Sequence, residues 1–204
     1  MADFTAKDVQ TLRKTTGAGM MDAKRALEAT GGDQEKAADF LREKGIAKAE
    51  RRADREQGQG VVGVYMHNQS GRPVIGVLVG LASETDFVAK SPDFIAAAND
   101  IAMHAAAAKP SWVRRDDVPQ DVVQKEMDLI AAEARNEGKP DDIVERIVDG
   151  RLNSFYKETV LEDQVFVRSD RFEGTVGEMV QELAIRMGEN ISISTMAIVE
   201  TGAG

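Results

Sequence analysis

VVGVYMHNQSGRPVIGVLVGLASETDFVAKSPDF, residues 61–94, runs from one β-rich segment through a turn into a second, and then into a helix opening. Val61–His67 is β-branched and aromatic, Asn68–Arg72 collects turn formers, and Val74–Val79 returns as an apolar run. That pattern predicts a hairpin with a loop of about five residues. A mostly apolar pair of strands needs a cover on one face. Ser91-Pro92-Asp93 opens a helix that supplies it, alanine-rich from Phe94 to Ala108 and ending at Lys109-Pro110.

Toward the C-terminus, two amphipathic helices are expected between Pro119 and Asp149, broken at Gly138-Lys139-Pro140. A further helical stretch is expected from Gly150 through Lys157, and a last helix over Thr175–Met187. Ile191, Ile193 and Thr195 then alternate with small and polar residues, a strand at period two. Strands far apart in sequence with helices between them define an α+β fold with an antiparallel sheet.

Toward the N-terminus the pattern is helical. Thr5 and Asp8 form a capping-box start for a helix with Val9 and Leu12 on its apolar face, and Gly17-Ala18-Gly19 turns the chain. A second helix from Met20 places Met21, Ala23 and Leu27 inward and ends at Gly31-Gly32. Asp33 caps a third, with Ala37, Phe40 and Leu41 inside and Gly45 as its stop. The expected domains are a three-helix bundle over 1–45, a charged helical linker over 46–57, and an α+β core over 58–204.

The 204 residues carry no cysteine, two histidines and a net charge of −9. Disulfides, thiolate metal sites and thiol nucleophiles are excluded, and a histidine metal cage has little material. Residues 1–57 hold 12 Lys and Arg against 11 Asp and Glu, while the remaining 147 hold 14 against 24. This acidity argues against nucleic acid as the main partner. Apolar stretches such as Ile101–Ala108 and Val74–Ala82 fall short of the ~20 residues of a membrane span. The opening MADFTAKDVQ does not have the pattern of a secretion signal, so a cytoplasmic protein is expected. Walker A, HExxH and GxSxG motifs are absent, as is a GxGxxG placed after a strand, and neither a metal nor a cofactor is expected. His104, within an alanine-rich helix, reads as structural.

Two segments stand out as candidate contact sites. Glu84-Thr85-Asp86-Phe87-Val88 joins a strand to a helix, a rigid mount for a projecting loop. Either Asp86 caps a turn while Phe87 tucks into the core, or Phe87 enters an apolar slot on a partner while Asp86 disturbs a charged group there. Gly17–Asp22 places Met20 and Met21 beside a glycine-rich turn, where methionines form an adaptable patch flanked by Arg13. One methionine is expected to face inward and one outward.

Four motifs in order, TGAGMMDAKRAL at 16–27, SETDFVAKSPDF at 83–94, IAMHAAA at 101–107 and GRLNSFYKE at 150–158, resemble bacterial translation elongation factor Ts. VGEMVQELAIRMGENI at 176–191 is similar to the C-terminal part of that family. The resemblance implies a ubiquitin-associated-like three-helix domain ahead of an α+β core. It also implies a guanine nucleotide exchange factor for the GTPase elongation factor Tu, which performs no covalent chemistry. Under it, Thr85, Asp86, Phe87 and Val88 press near the Mg²⁺ and phosphate site of the GTPase, while Arg13, Met20 and Met21 dock on one of its helices. Longer members have a second sheet subdomain and an inserted coiled-coil hairpin, and about 40 residues after Val165 are too few for both. The chain therefore resembles the short form, for which an exposed last strand at 191–199 is a pairing edge for a homodimer. From another class, a peptide- or chaperone-client-binding adaptor without exchange activity stays open, and a hydrolase ranks third.

Overall fold

The computed structural model describes residues 4–201; residues 1–3 and 202–204, the outer ends of the expected domains, lie outside it. Among the described residues, eight α-helices and a three-stranded antiparallel sheet make an α+β fold. The chain divides into two compact units. One contains the residues up to Gln57 together with Gln181–Ile191, and the other contains Gly58–Val180 together with the residues from Ser192 on.

The first unit holds α1 (Ala6–Thr16), α2 (Met20–Ala29) and α3 (Gln34–Glu50). The Thr5 side chain accepts from the Asp8 N–H while Asp8 accepts from the Thr5 N–H, the reciprocal box expected at the start of α1. Gly17, at φ 69°, ends that helix in the left-handed region. Asp33 caps α3 by accepting from the N–H groups of Glu35 and Lys36. Val9, Leu12, Ala23, Ala26, Leu27 and Ala37 form the core, with Phe40 and Leu41 packed against it.

Gly45 does not stop α3, which runs on to Glu50, so the third helix and much of the expected linker are one element. The glycine is there for space rather than for a turn. A Cβ at Gly45 would lie 2.7 Å from Cγ2 of Ile185, so the residue lets another side chain approach the helix backbone.

In the second unit, β1 (Gln59–Gln69), β2 (Arg72–Ser83) and β3 (Ser192–Glu200) are ordered β1-β2-β3. The hairpin is tighter than the five-residue loop expected. Pairing continues to Gln69↔Arg72, leaving Ser70 and Gly71 at φ 53° and 82° as the two-residue turn. Positive φ at both central positions gives a twist that matches the strands, so polar residues placed in the loop extend the ladder instead. A shift in register between His67 and Asn68 absorbs the mismatch.

Helix α5 (Pro92–Ala108), capped by Ser91 with proline in its first turn, packs across β1 and β2 as the cover that the apolar strands required. Phe94, Ala98, Ile101, Ala102 and Ala105 are buried on it. Helices α6 (Gln120–Asn136) and α7 (Asp141–Thr159) pair through Ile130, Ala134, Val144 and Val148. The break near Gly150 is absent, since α7 continues through it and a Cβ there would meet open space. The two helices thus form a helical hairpin at 120–159. Helix α8 (Val176–Met187) contributes to both units and leads into β3.

Candidate functional site

Three residues after β2 ends at Ser83, the chain makes the single turn α4 (Asp86–Ala89), and α5 starts three residues after that turn ends. Thr85 caps α4 by accepting from the Val88 N–H, and the Ser83 hydroxyl donates to the Thr85 carbonyl at 3.2 Å. Val88 and Ala89 are buried, so the lower face of the turn is anchored in the core. Phe87 points the other way and is 83% exposed. The reading in which its ring tucks into the core is therefore excluded, and Thr85, not Asp86, is the cap.

Asp86 is bonded to the Lys90 ammonium at 2.6 Å, one helical turn away. The Lys90 hydrogen bond, with its charge, holds the Asp86 carboxyl below the usual carboxylate range, so Asp86 is ionised at neutral pH. Spacing of i and i+4 made this partner readable in the sequence. The four predicted residues therefore divide. Thr85 and Val88 build the mount, Asp86 presents a paired charge, and Phe87 alone offers a large free apolar surface.

In the first unit, Arg13 Nε donates to the Ala18 carbonyl at 3.3 Å and clamps the turn that leads into α2. Both methionines that follow are free of the core, Met20 at 52% and Met21 at 61% exposure. The expected split of one inward and one outward is corrected. Ala23, Ala26 and Leu27 already fill the interior face of this ten-residue helix, which leaves Met20 and Met21 at its start pointing out. Arg13, Met20 and Met21 are all exposed at or next to this turn in the first unit, while Phe87 belongs to the other unit.

The sequence pattern does not mark several exposed apolar side chains, among them Val62, Val64, Met66 and Leu78 on the sheet and Val165 and Val167. Val165 and Val167 are exposed at 69% and 47% on either side of buried Phe166. Alternation was the available signal, but period two alone does not say which face is buried. Among the described residues, no group of three or more His, Cys, Asp or Glu side chains could hold a metal ion. None of the described helices is long and apolar enough to cross a membrane.

The family model described as Elongation factor TS matches residues 3–173. Elongation factor Ts of Desulforamulus reducens is 48% identical over 204 residues, spanning 100% of this chain and 92% of the relative. That of Carboxydothermus hydrogenoformans is 50% identical over 201 residues, spanning 98% and 90% of the two chains. That of Thermosipho melanesiensis is 46% identical over 191 residues, spanning 94% and 95%. With identity near one half across almost the whole of both sequences, the chain belongs to the elongation factor Ts family of translation elongation factors.

Proposed function

We propose that this protein is a guanine nucleotide exchange factor that binds elongation factor Tu and promotes GDP release, acting by protein binding without making or breaking a covalent bond. The observation that carries this reading is Phe87, an exposed ring on a turn whose other face is buried. A GTPase holds its nucleotide through a Mg²⁺ that bridges phosphate oxygens and protein ligands. A factor that binds the nucleotide-free form more tightly than the loaded form weakens nucleotide binding by the same factor. Phe87 entering the partner stabilises the emptied form, and the Asp86 carboxylate acts on the metal surroundings by exchanging its Lys90 partner for a group on the GTPase. Arg13, Met20 and Met21 form a separate dock.

The test is stimulated release of a fluorescent GDP analogue from elongation factor Tu, together with a complex that dissolves when GDP is added. Retention of the GTPase regardless of nucleotide would favour the adaptor reading instead. In the same assay, Met20→Ala with Met21→Ala is expected to weaken the complex by roughly tenfold, as loss of about 1–2 kcal/mol of soft apolar contact implies. Because both side chains are exposed, the circular dichroism spectrum should stay native. Full affinity in the double variant would remove this patch from the interface.

We also propose that the chain pairs with a second copy along β3. The Val64 N–H on β1 is taken by Asn99 Oδ1 at 2.9 Å, which occupies one donor of that edge of the sheet. β3 forms the opposite edge. Arg114 takes the Ile193 carbonyl at its start, while Thr195, Ala197 and Val199 are exposed farther along. Light scattering at micromolar concentration should give the mass of a dimer; a monomer there would refute the pairing.

A further inference from the structure

The buried His104 on α5 sits in a chain of hydrogen bonds whose direction is fixed at one end. The Val167 backbone N–H lies 3.2 Å from Nδ1, and a peptide N–H can only donate. Nδ1 is therefore an acceptor, and in the neutral ring the proton resides on Nε2. Nε2 lies 3.0 Å from the Gln164 side-chain oxygen and donates to it, while the Gln164 amide nitrogen donates to the Glu158 carbonyl at 2.8 Å. The ring also packs beside Phe166, with centroids 5.7 Å apart. One imidazole thus ties α5 to the end of α7 and to the segment that presents Val165 and Val167.

A second proton has one place to go, Nδ1, and the consequence is selective. The Nε2–H bond to Gln164 survives in the imidazolium. At Nδ1 a donor would face a donor at a distance that allows neither to relax in place. We propose that His104 is a proton-operated latch: neutral, it holds the Val167 amide, and doubly protonated, it lets that amide go while keeping Gln164.

The charged groups on the surrounding elements are largely paired, and Glu162, two residues before Gln164, has its carboxyl pushed up by burial against the pull of Arg114. Asp100 on α5 pairs with Arg171, Arg168 pairs with Asp170, and Lys109 at the end of α5 pairs with Glu200. Glu158, at the end of α7, has an exposed side chain and meets the network only through its carbonyl. Burial pushes the His104 pKa below its ordinary 6.5, opposed in part by the Gln164 bond. Stability from the neutral network is therefore complete above that ordinary value. It is lost progressively as pH falls through it toward the folded value.

The latch is read by amide hydrogen exchange and ring nitrogen shifts on the full chain, from about pH 7.5 to about pH 5. As His104 gains its proton, the protection factor of the Val167 amide should fall about tenfold or more. The Phe166 amide, bonded to the Gly174 carbonyl at 2.9 Å, should keep its protection. His104→Asn, whose side-chain oxygen can take the place of Nδ1 without titrating, should hold Val167 with no such pH dependence. Constant Val167 protection through the transition, parallel loss at Phe166, or a ring that never protonates while the fold persists would each overturn the proposal.

Discussion

Phe87→Ala is expected to lower stimulated GDP release roughly ten- to a hundredfold while leaving the factor as stable as before. The two halves of that outcome have separate causes. At 83% exposure the ring contributes almost nothing to its own fold, so the stability change should stay within about 0.5 kcal/mol. If the ring is buried in a partner, its removal forfeits about 1.5–3 kcal/mol of apolar transfer. That energy belongs to the nucleotide-free complex, so its loss appears in exchange and not in folding. Phe87→Leu should retain part of the effect by keeping much of the apolar volume. Release rates with the alanine variant equal to those of the unaltered factor would end the role assigned to Phe87.

Gly63→Ala should produce the largest loss of stability, about 3 kcal/mol, at the upper end of what overfilling a packed site costs. A Cβ at this position in β1 would meet the Ala98 carbonyl and come within 2.9 Å of Ala98 Cβ on α5. Backbone cannot rotate away as a flexible side chain can. Nor can the helix back off without cost, because the next residue is fastened to it through the Val64 N–H and Asn99. The urea midpoint should therefore fall sharply, with the slope of the transition unchanged. Gly150→Ala provides the contrast. It lies within α7 with nothing near its added methyl, and should raise stability by about 0.5–1 kcal/mol. An unmoved midpoint for Gly63→Ala would mean that helix and strand are not held as closely as described.

What was legible in the sequence depended on local chemistry. Thr5 with Asp8, Gly17, Asp33 and Ser91-Pro92 mark helix ends through interactions within a few residues, and each lies where the pattern put it. Gly45 and Gly150 look the same as Gly17 in the chain, yet both lie inside helices, one against Ile185 and the other in open space. Only distant neighbours separate a stop from a clearance. The hairpin turn differs from the sequence pattern for a related reason, since Asn68 and Gln69 sit in a polar stretch yet are held in the ladder by pairing across it. At the candidate site, residue types suggested an acidic tip beside a ring, while the direction of the ring depended on burial of Val88 and Ala89. Both methionines facing out likewise followed from alanines and a leucine having already filled the small interior.

A protein that displays an aromatic side chain on a long floppy loop must surrender that loop's freedom whenever it docks. Here the stalk is one turn of helix, tied by Thr85 above and sunk through Val88 and Ala89 below. The ring itself has only two torsions left to settle. Association with any molecule that accepts it should then carry a small entropic penalty and proceed without a slow ordering step, because the shape is made before the encounter.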